Sequence, residues 1–367
     1  MRVLMLGNGF DLYHNLLTHY DDFMTIGGYL CDKYSIICYN DLDKISIYSE
    51  LVGLANKTIQ DKLLIYEDAY KKTMINKEKY VCFLKKLHTN CWFKYFLDIK
   101  SRNGWVALEN QVEEVLMKFR QSDPIGIDRF LETIKEKNNY DDASFKHIKK
   151  YLFDTQENND YIYEEYNQFI EILRQYIKIF VDNVLTHISN LYAGCNNYLK
   201  NNDYVLNFNY TNTYAELYGS KPDIIHIHGK LDSSIVLGVN SNEYDDIGSN
   251  DCKFIKYKKY YQRITKRTLD DLNPLFTYLN LTTEQRSLFI MGHSLDVSDG
   301  DILTVIFDVF DVIKIYFHDD NALDSYVKNL KLIFGAKELS KMTFSQKVIF
   351  RKLPPNEFKK VNHNDKL

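Results

Sequence analysis

The sequence predicts an α/β protein built on a parallel sheet and interrupted by a large all-helical insertion, and three observations lead there. The apolar run Val3-Leu4-Met5-Leu6 meets Gly7-Asn8-Gly9-Phe10-Asp11 at the very start of the chain, reading as strand, tight turn and helix start. From about 28 to 199 apolar residues recur at three- and four-residue spacing and strand signals nearly vanish. Beyond 200, short apolar runs return, of the kind that buried parallel strands show.

Taken in order, the first strand feeds a helix expected over 10–26. Helical periodicity then covers 45–74, 79–97, 110–119 and 128–137, and 162–199 reads as one or two long amphipathic helices. Strands are expected at 204–208, 224–227, 235–237, 288–291 and 313–317. Between the first two of these lies a short helix over 211–218, with Thr211 as cap, Gly219 as stop and Pro222 beyond. The polar stretch 292–299 leads into an apolar helix over 302–310, where Ser298 and Asp301 have capping-box spacing. The acidic, Gly-containing 240–250 reads as a surface loop or lid, and 353–367, with Pro354 and Pro355, as a frayed tail. The expected organisation is thus a discontinuous α/β nucleotide-binding domain of 1–27 and 200–320, a helical insert of 28–199 and a C-terminal extension of 321–367.

Bulk properties narrow the class. The 367 residues, 45% of them hydrophobic, suffice for a large core, and 29 Tyr and 22 Phe against 5 Pro and 15 Gly suit long helices. A net charge of −4, from 46 basic and 50 acidic residues, gives no global field for nucleic acid or an anionic membrane. Cys31, Cys38, Cys82, Cys91, Cys195 and Cys252 show no C-x-x-C spacing, which argues against a structural zinc site and a disulfide framework. A chain that opens on a core strand and has no run near the roughly 18 apolar residues of a membrane span is expected to be cytoplasmic, without a membrane partner. Long amphipathic helices in the insert could pair with a second copy or pack within their own lobe.

Chemistry concentrates at strand ends. Glycine lets backbone approach a ligand closely, and a following helix start offers free N–H groups, so Gly7 and Gly9 point to a phosphate-bearing ligand, a nucleotide first. Leu12 stands where a third glycine would complete G-x-G-x-x-G, and Asp21 and Asp22 come too early for the usual ribose-binding acid. Four polar clusters, 7–11, 207–211, 226–229 and 292–299, follow strands that a parallel sheet brings to one edge. Competing readings attach to some of these residues. His226 and His228, two apart on a strand, share a face and could hold a metal with Asp11, Asp296 or Asp299, as in a metal-dependent nuclease, but spacing fixes no third ligand and no metal site is expected. The basic segment Lys253, Lys256, Lys258, Lys259, Arg263, Lys266 and Arg267, interleaved with Tyr257, Tyr260 and Tyr261, reads as a solvated helix face, a nucleic-acid grip or a source of phosphate contacts. Gly292-His293-Ser294-Leu295 partly matches a nucleophile elbow, yet it lacks the second glycine and Leu295 is bulky for that turn. Asp11 is expected to cap the first helix or to hold a ribose hydroxyl, capping being the commoner role.

The motif set Gly7-Asn8-Gly9-Phe10-Asp11-Leu12 with Thr18, Tyr20 and Phe23, then Phe208-Asn209-Tyr210-Thr211, His228-Gly229, Leu237-Gly238 and Gly292-His293-Ser294-Leu295 with Asp299, resembles the AbiH bacteriophage abortive-infection family. Trp105, Glu109 and the segment 260–263 share the resemblance, whereas Asn15 and Leu17 depart from the Gly-Leu-Pro usual in that first helix. The order of motifs is also similar to the sirtuin-like, Rossmann-type NAD-binding fold. That likeness implies Asn209 and His228 as a catalytic pair and Gly7 and Gly9 as the pyrophosphate turn, with Gly292, His293 and Ser294 as the adenosine-side loop. Asn8, Phe10, Asp11, Tyr210, Thr211, Gly229 and Asp299 would be further nucleotide contacts. Thr211 replaces the Asp that usually follows the catalytic Asn by two, and the cysteine pairs of protein-deacylating sirtuins are absent, so deacylation is not expected. The resemblance implies a phage-defence effector that hydrolyses NAD or a related nucleotide at the N-glycosidic bond, with NAD as substrate and no cofactor required. A non-catalytic nucleotide sensor or scaffold and a metal-dependent nuclease are the alternatives.

Overall fold

A computed structural model describes residues 1–37, 43–104, 108–120, 127–146, 156–188, 199, 201–239 and 252–353. Trp105, the 240–250 loop and the tail beyond Leu353 lie outside the described residues. In chain order the strands are β1 (Arg2–Leu6), β2 (Lys44–Ser46), β3 (Met74–Asn76), β4 (Tyr204–Asn207), β5 (Asp223–His226), β6 (Ser287–Met291), β7 (Val312–Phe317) and β8 (Val348–Lys352). Six of them form one sheet in the order β5-β4-β1-β6-β7-β8, and every pairing in it is parallel.

Strand alternation builds two apolar layers. Val3 and Met5 face a cluster completed by Leu288, Ile290, Ile313 and Ile315 and by the helices Leu272–Leu281, Gly300–Val309 and Asp320–Phe334. Leu4 and Leu6 face the opposite way, onto Phe10 and onto Tyr214 of the helix Thr213–Tyr218. Covered on both faces, the strands read as continuous apolar runs rather than alternating ones, as observed for β1 and β6. Because the order reverses at β1, the loops after β1 and β6 meet beyond the carboxyl ends of their strands at the topological switch point, where such sheets place ligands.

Between β1 and β4 lies the insert, and it holds the largest apolar cluster, with Trp92, Phe93, Phe96, Phe130, Tyr166 and Phe169 at its centre. It is not all helical. β2 and β3 pair antiparallel, each too short to leave a periodic signal between its neighbouring helices. The single helix expected over 10–26 is two, Asn8–Tyr13 and Tyr20–Ile37. Asn15 takes φ 56° in the break. It stands where the family resemblance gives glycine, and asparagine tolerates that left-handed conformation, so the turn persists without one.

Four further expectations are corrected. Residues 235–237 form no strand of the sheet. Ile235 makes one isolated bridge with Gly229, while the Gln262 side chain receives the Leu237 N–H and donates to the Leu237 carbonyl, serving that backbone as a neighbouring strand would. Thr211 does not cap the helix Thr213–Tyr218, because its hydroxyl donates to Asp11 instead. Ser298 and Asp301 form no capping box: Asp296 receives the Ser298 N–H, and the helix Gly300–Val309 begins without a side-chain cap. Finally, the segment 321–367, read as an extension, supplies β8, the edge strand beside β7.

Candidate functional site

All four polar clusters arrive at the carboxyl edge of the sheet, where their loops surround a cavity of about 350 Å³. It is lined by Gly7, Asn8, Gly9, Asp11, Asn209, Thr211, His228, His293, Ser294 and Asp299 and by the aromatic rings of Tyr20, Phe23, Tyr176, Phe208 and Tyr210. Leu173, Tyr176 and Ile177 reach it from a long insert helix. A lining that mixes polar groups with aromatic rings suits an amphipathic ligand such as a nucleoside.

The glycines have a different structural reason from the one expected. A Cβ on Gly9 would lie 2.8 Å from the Gly292 Cα, and one on Gly7 would lie 2.5 Å from the His293 Cα. Here the β1 turn packs directly on the β6 loop, with the Gly9 N–H donating to the Gly292 carbonyl at 2.8 Å and the Phe10 N–H to the Gly7 carbonyl at 2.8 Å. Those two donors are engaged, so they do not offer the phosphate cradle that the turn suggested. Phe10 is fully buried against His14 and Tyr218 and does not line the cavity. Nor does Gly229: at φ 83°, a Cβ there would meet the Ser234 carbonyl at 1.9 Å, so the glycine permits a chain reversal.

After β4, the Asn207 side chain shapes the loop by accepting the Asn209 N–H and donating to the Thr211 carbonyl, each at 3.0 Å. Asn209 then donates its amide to the Gly7 carbonyl at 3.0 Å, joining the two loops. Thr213 donates to Thr211 at 2.9 Å and Thr211 to Asp11 Oδ2 at 2.7 Å, which orients the Asp11 carboxyl. Asp11 sits within the opening helix rather than capping it. Burial pushes its pKa up to about 6, against the opposing hydrogen bonds of Thr211, Thr213 and Asn209.

Asp299 is the second buried carboxylate. His228 Nε2 lies 2.9 Å from Oδ1, Arg263 Nη1 3.3 Å, Lys259 Nζ 3.5 Å, and His293 Nε2 3.9 Å from Oδ2. Burial works against its charge, but Lys259 and His228 outweigh that and hold its pKa well below the usual carboxylate range. Lys259 also donates to Ser298 at 2.8 Å and pairs with Glu109 of the insert at 3.1 Å; burial opposes its charge, and Asp299 and Glu109 together keep the ammonium protonated. Burial lowers His293 to about 4, and its Nδ1 accepts the Leu295 N–H at 2.9 Å. Leu295 does adopt the left-handed conformation, φ 54°, despite its bulk, but His293 turns Nε2 toward Asp299 rather than serving Ser294 as a base.

His226 and His228 do not share a ligand. Burial lowers His226 to about 4, and it contacts the Asn209 carbonyl, while His228 meets Asp299. Among the described residues no group of three His, Cys, Asp or Glu is placed to hold a metal ion. Sequence reading missed Lys259 and Arg263 as buried groups: they are 5% and 1% exposed, not a solvated face. Their four-residue spacing on one helix, with Asp299 and Asp301 at the start of the distant helix Gly300–Val309, was the available signal.

Fold and site together define an α/β protein with a deeply built polar cavity at the reversal point of a parallel sheet. A family model described as bacteriophage abortive infection AbiH matches residues 3–318. The chain belongs to the AbiH family, which places it among proteins of phage abortive infection. No curated protein and no solved structure matches it. Among the described residues no helix is long and apolar enough to cross a membrane.

Proposed function

We propose that the cavity binds NAD or a related nucleotide and that the protein hydrolyses its N-glycosidic bond, so that cofactor depletion arrests an infected cell. Counted within the sheet alone, the strands run 3-2-1-4-5-6, the order of doubly wound dinucleotide-binding sheets, which supports the Rossmann-type, sirtuin-like reading. The observation that carries the chemistry is the meeting of Asn209, His228 and the ionised Asp299 beside Asp11 in one cavity. Nicotinamide leaves a cationic ring without needing a proton, so the site has only to stabilise an oxocarbenium-like ribose and deliver water. Asp299, receiving Nε2–H of His228, fixes the tautomer that leaves Nδ1 as the base for that water. Asn209, tied to Gly7, holds a fixed position from which to orient the water or a ribose hydroxyl. Lys259 is the cation available to a phosphate once Glu109 yields.

A second reading, nucleotide binding without cleavage, draws support from the engagement of the Asn209 amide with the Gly7 carbonyl, which leaves that donor occupied within the protein. Purified protein incubated with NAD, with nicotinamide release followed over time, separates the two. Cleavage lost by about 10²–10⁴-fold in His228→Ala and Asn209→Ala supports the hydrolase; binding of NAD with no release at any time point supports the sensor.

A further inference from the structure

Among the described residues, two buried side-chain polar atoms have no hydrogen-bond partner: Asp11 Oδ1 and Thr18 Oγ1. Both belong to residues that line the same cavity. Asp11 is 1% exposed, and an unanswered carboxylate oxygen there loses its hydration for nothing in return. Its other oxygen is fixed by the Thr213-to-Thr211-to-Asp11 chain of donated hydroxyls, so the carboxyl cannot turn to satisfy both. Thr18 lies in the break between the first two helices, and that break brings its hydroxyl to the cavity. A carboxylate that only accepts and a hydroxyl that donates and accepts, lining one cavity, match a pair of neighbouring hydroxyl groups. Asn209 lies beside the same carboxyl, so a sugar held there sits next to the proposed catalytic pair.

We infer that Asp11 and Thr18 grip the 2′- and 3′-hydroxyls of the ribose that carries the reacting glycosidic bond, making the cavity selective for ribo- over deoxyribonucleotides. This rests on the nucleotide reading above. As the ring turns cationic it makes its hydroxyls more acidic and therefore stronger donors to a carboxylate, so the contact strengthens toward the transition state. Asp11 thereby stabilises the reacting sugar as well as selecting it.

The test is calorimetric titration of the full chain with NAD in its carbocyclic form, whose glycosidic bond does not hydrolyse, and with carbocyclic analogues lacking the 2′- or the 3′-hydroxyl of the nicotinamide ribose, repeated on Asp11→Asn and Thr18→Val. The expected result is NAD binding by the wild type, weakened about tenfold or more by removal of either hydroxyl, with the penalty shrinking in the variant that lacks its partner. The analogues probe the unaltered chain, so the outcome does not hang on a variant's folding. Equal binding of NAD and both analogues would overturn the ribose grip and leave the nucleotide reading standing. Failure of the wild type to bind NAD at all would overturn both.

Discussion

Two aspartates on the same cavity show how opposite environments divide labour. Asp299 and Asp11 are comparably buried, 5% and 1% exposed, yet one is surrounded by Lys259, Arg263 and His228 and the other by hydroxyls and an amide. The first is held far below its usual pKa, the second pushed up to about 6 by burial. A buried carboxylate surrounded by cations organises its neighbours. One left with an empty lone pair beside a cavity is kept ready for something that is not protein.

The largest expected contrast is in stability. Asp299→Asn removes the buried carboxylate that Lys259, Arg263 and His228 share, leaving Lys259 only Glu109 and Arg263 only Asp301, and should destabilise by about 3–5 kcal/mol in urea denaturation. Asp11→Asn should move the other way. The folded state holds the Asp11 proton more tightly than the unfolded chain, whose value is near 3.8, so the folding cost is absent below that pH and complete above about 6. At neutral pH the asparagine should therefore gain up to about 3 kcal/mol without ligand while losing affinity for NAD. A loss of stability in Asp11→Asn would place Asp11 among the structural residues beside Asp299.

A smaller effect follows in pH. Only ionised Asp11 accepts a hydroxyl with both lone pairs of Oδ1, and the groups against its carboxyl, Thr211, Thr213 and Asn209, do not titrate. NAD affinity should fall about tenfold per pH unit below about 6, and the fall attributable to Asp11 should be missing in Asp11→Asn; identical slopes in both proteins would contradict this. Smallest of all, Thr213→Val removes the outer hydroxyl of the relay and should cost about 0.5–1.5 kcal/mol in thermal unfolding, leaving the fold intact.

How far the sequence carried these conclusions differs between sheet and site. β1, β4, β5, β6 and β7 were legible because strands buried on both faces leave short apolar runs between turn residues. β8 was not, since its three apolar residues Val348-Ile349-Phe350 run straight into Arg351 and Lys352 at the sheet edge, and the apolar 235–237 mimicked a strand while resting on Gln262. The clusters after each strand announced a shared rim, because parallel topology leaves their loops nowhere else to go. The ion network was hidden by distance along the chain: nothing near Lys259 or Glu109 reveals that Asp299 will meet them. The glycines misled for a physical reason, since close approach of backbone to backbone and of backbone to phosphate require the same missing Cβ.

The most direct measurement is a crystal structure of the full chain grown with ADP-ribose, the product of the proposed cleavage. The sugar is expected in the cavity with a hydroxyl about 2.6–3.2 Å from Asp11 Oδ1 and the anomeric carbon facing Asn209 and His228. A cavity holding only water, with the nucleotide bound elsewhere or not at all, would contradict this.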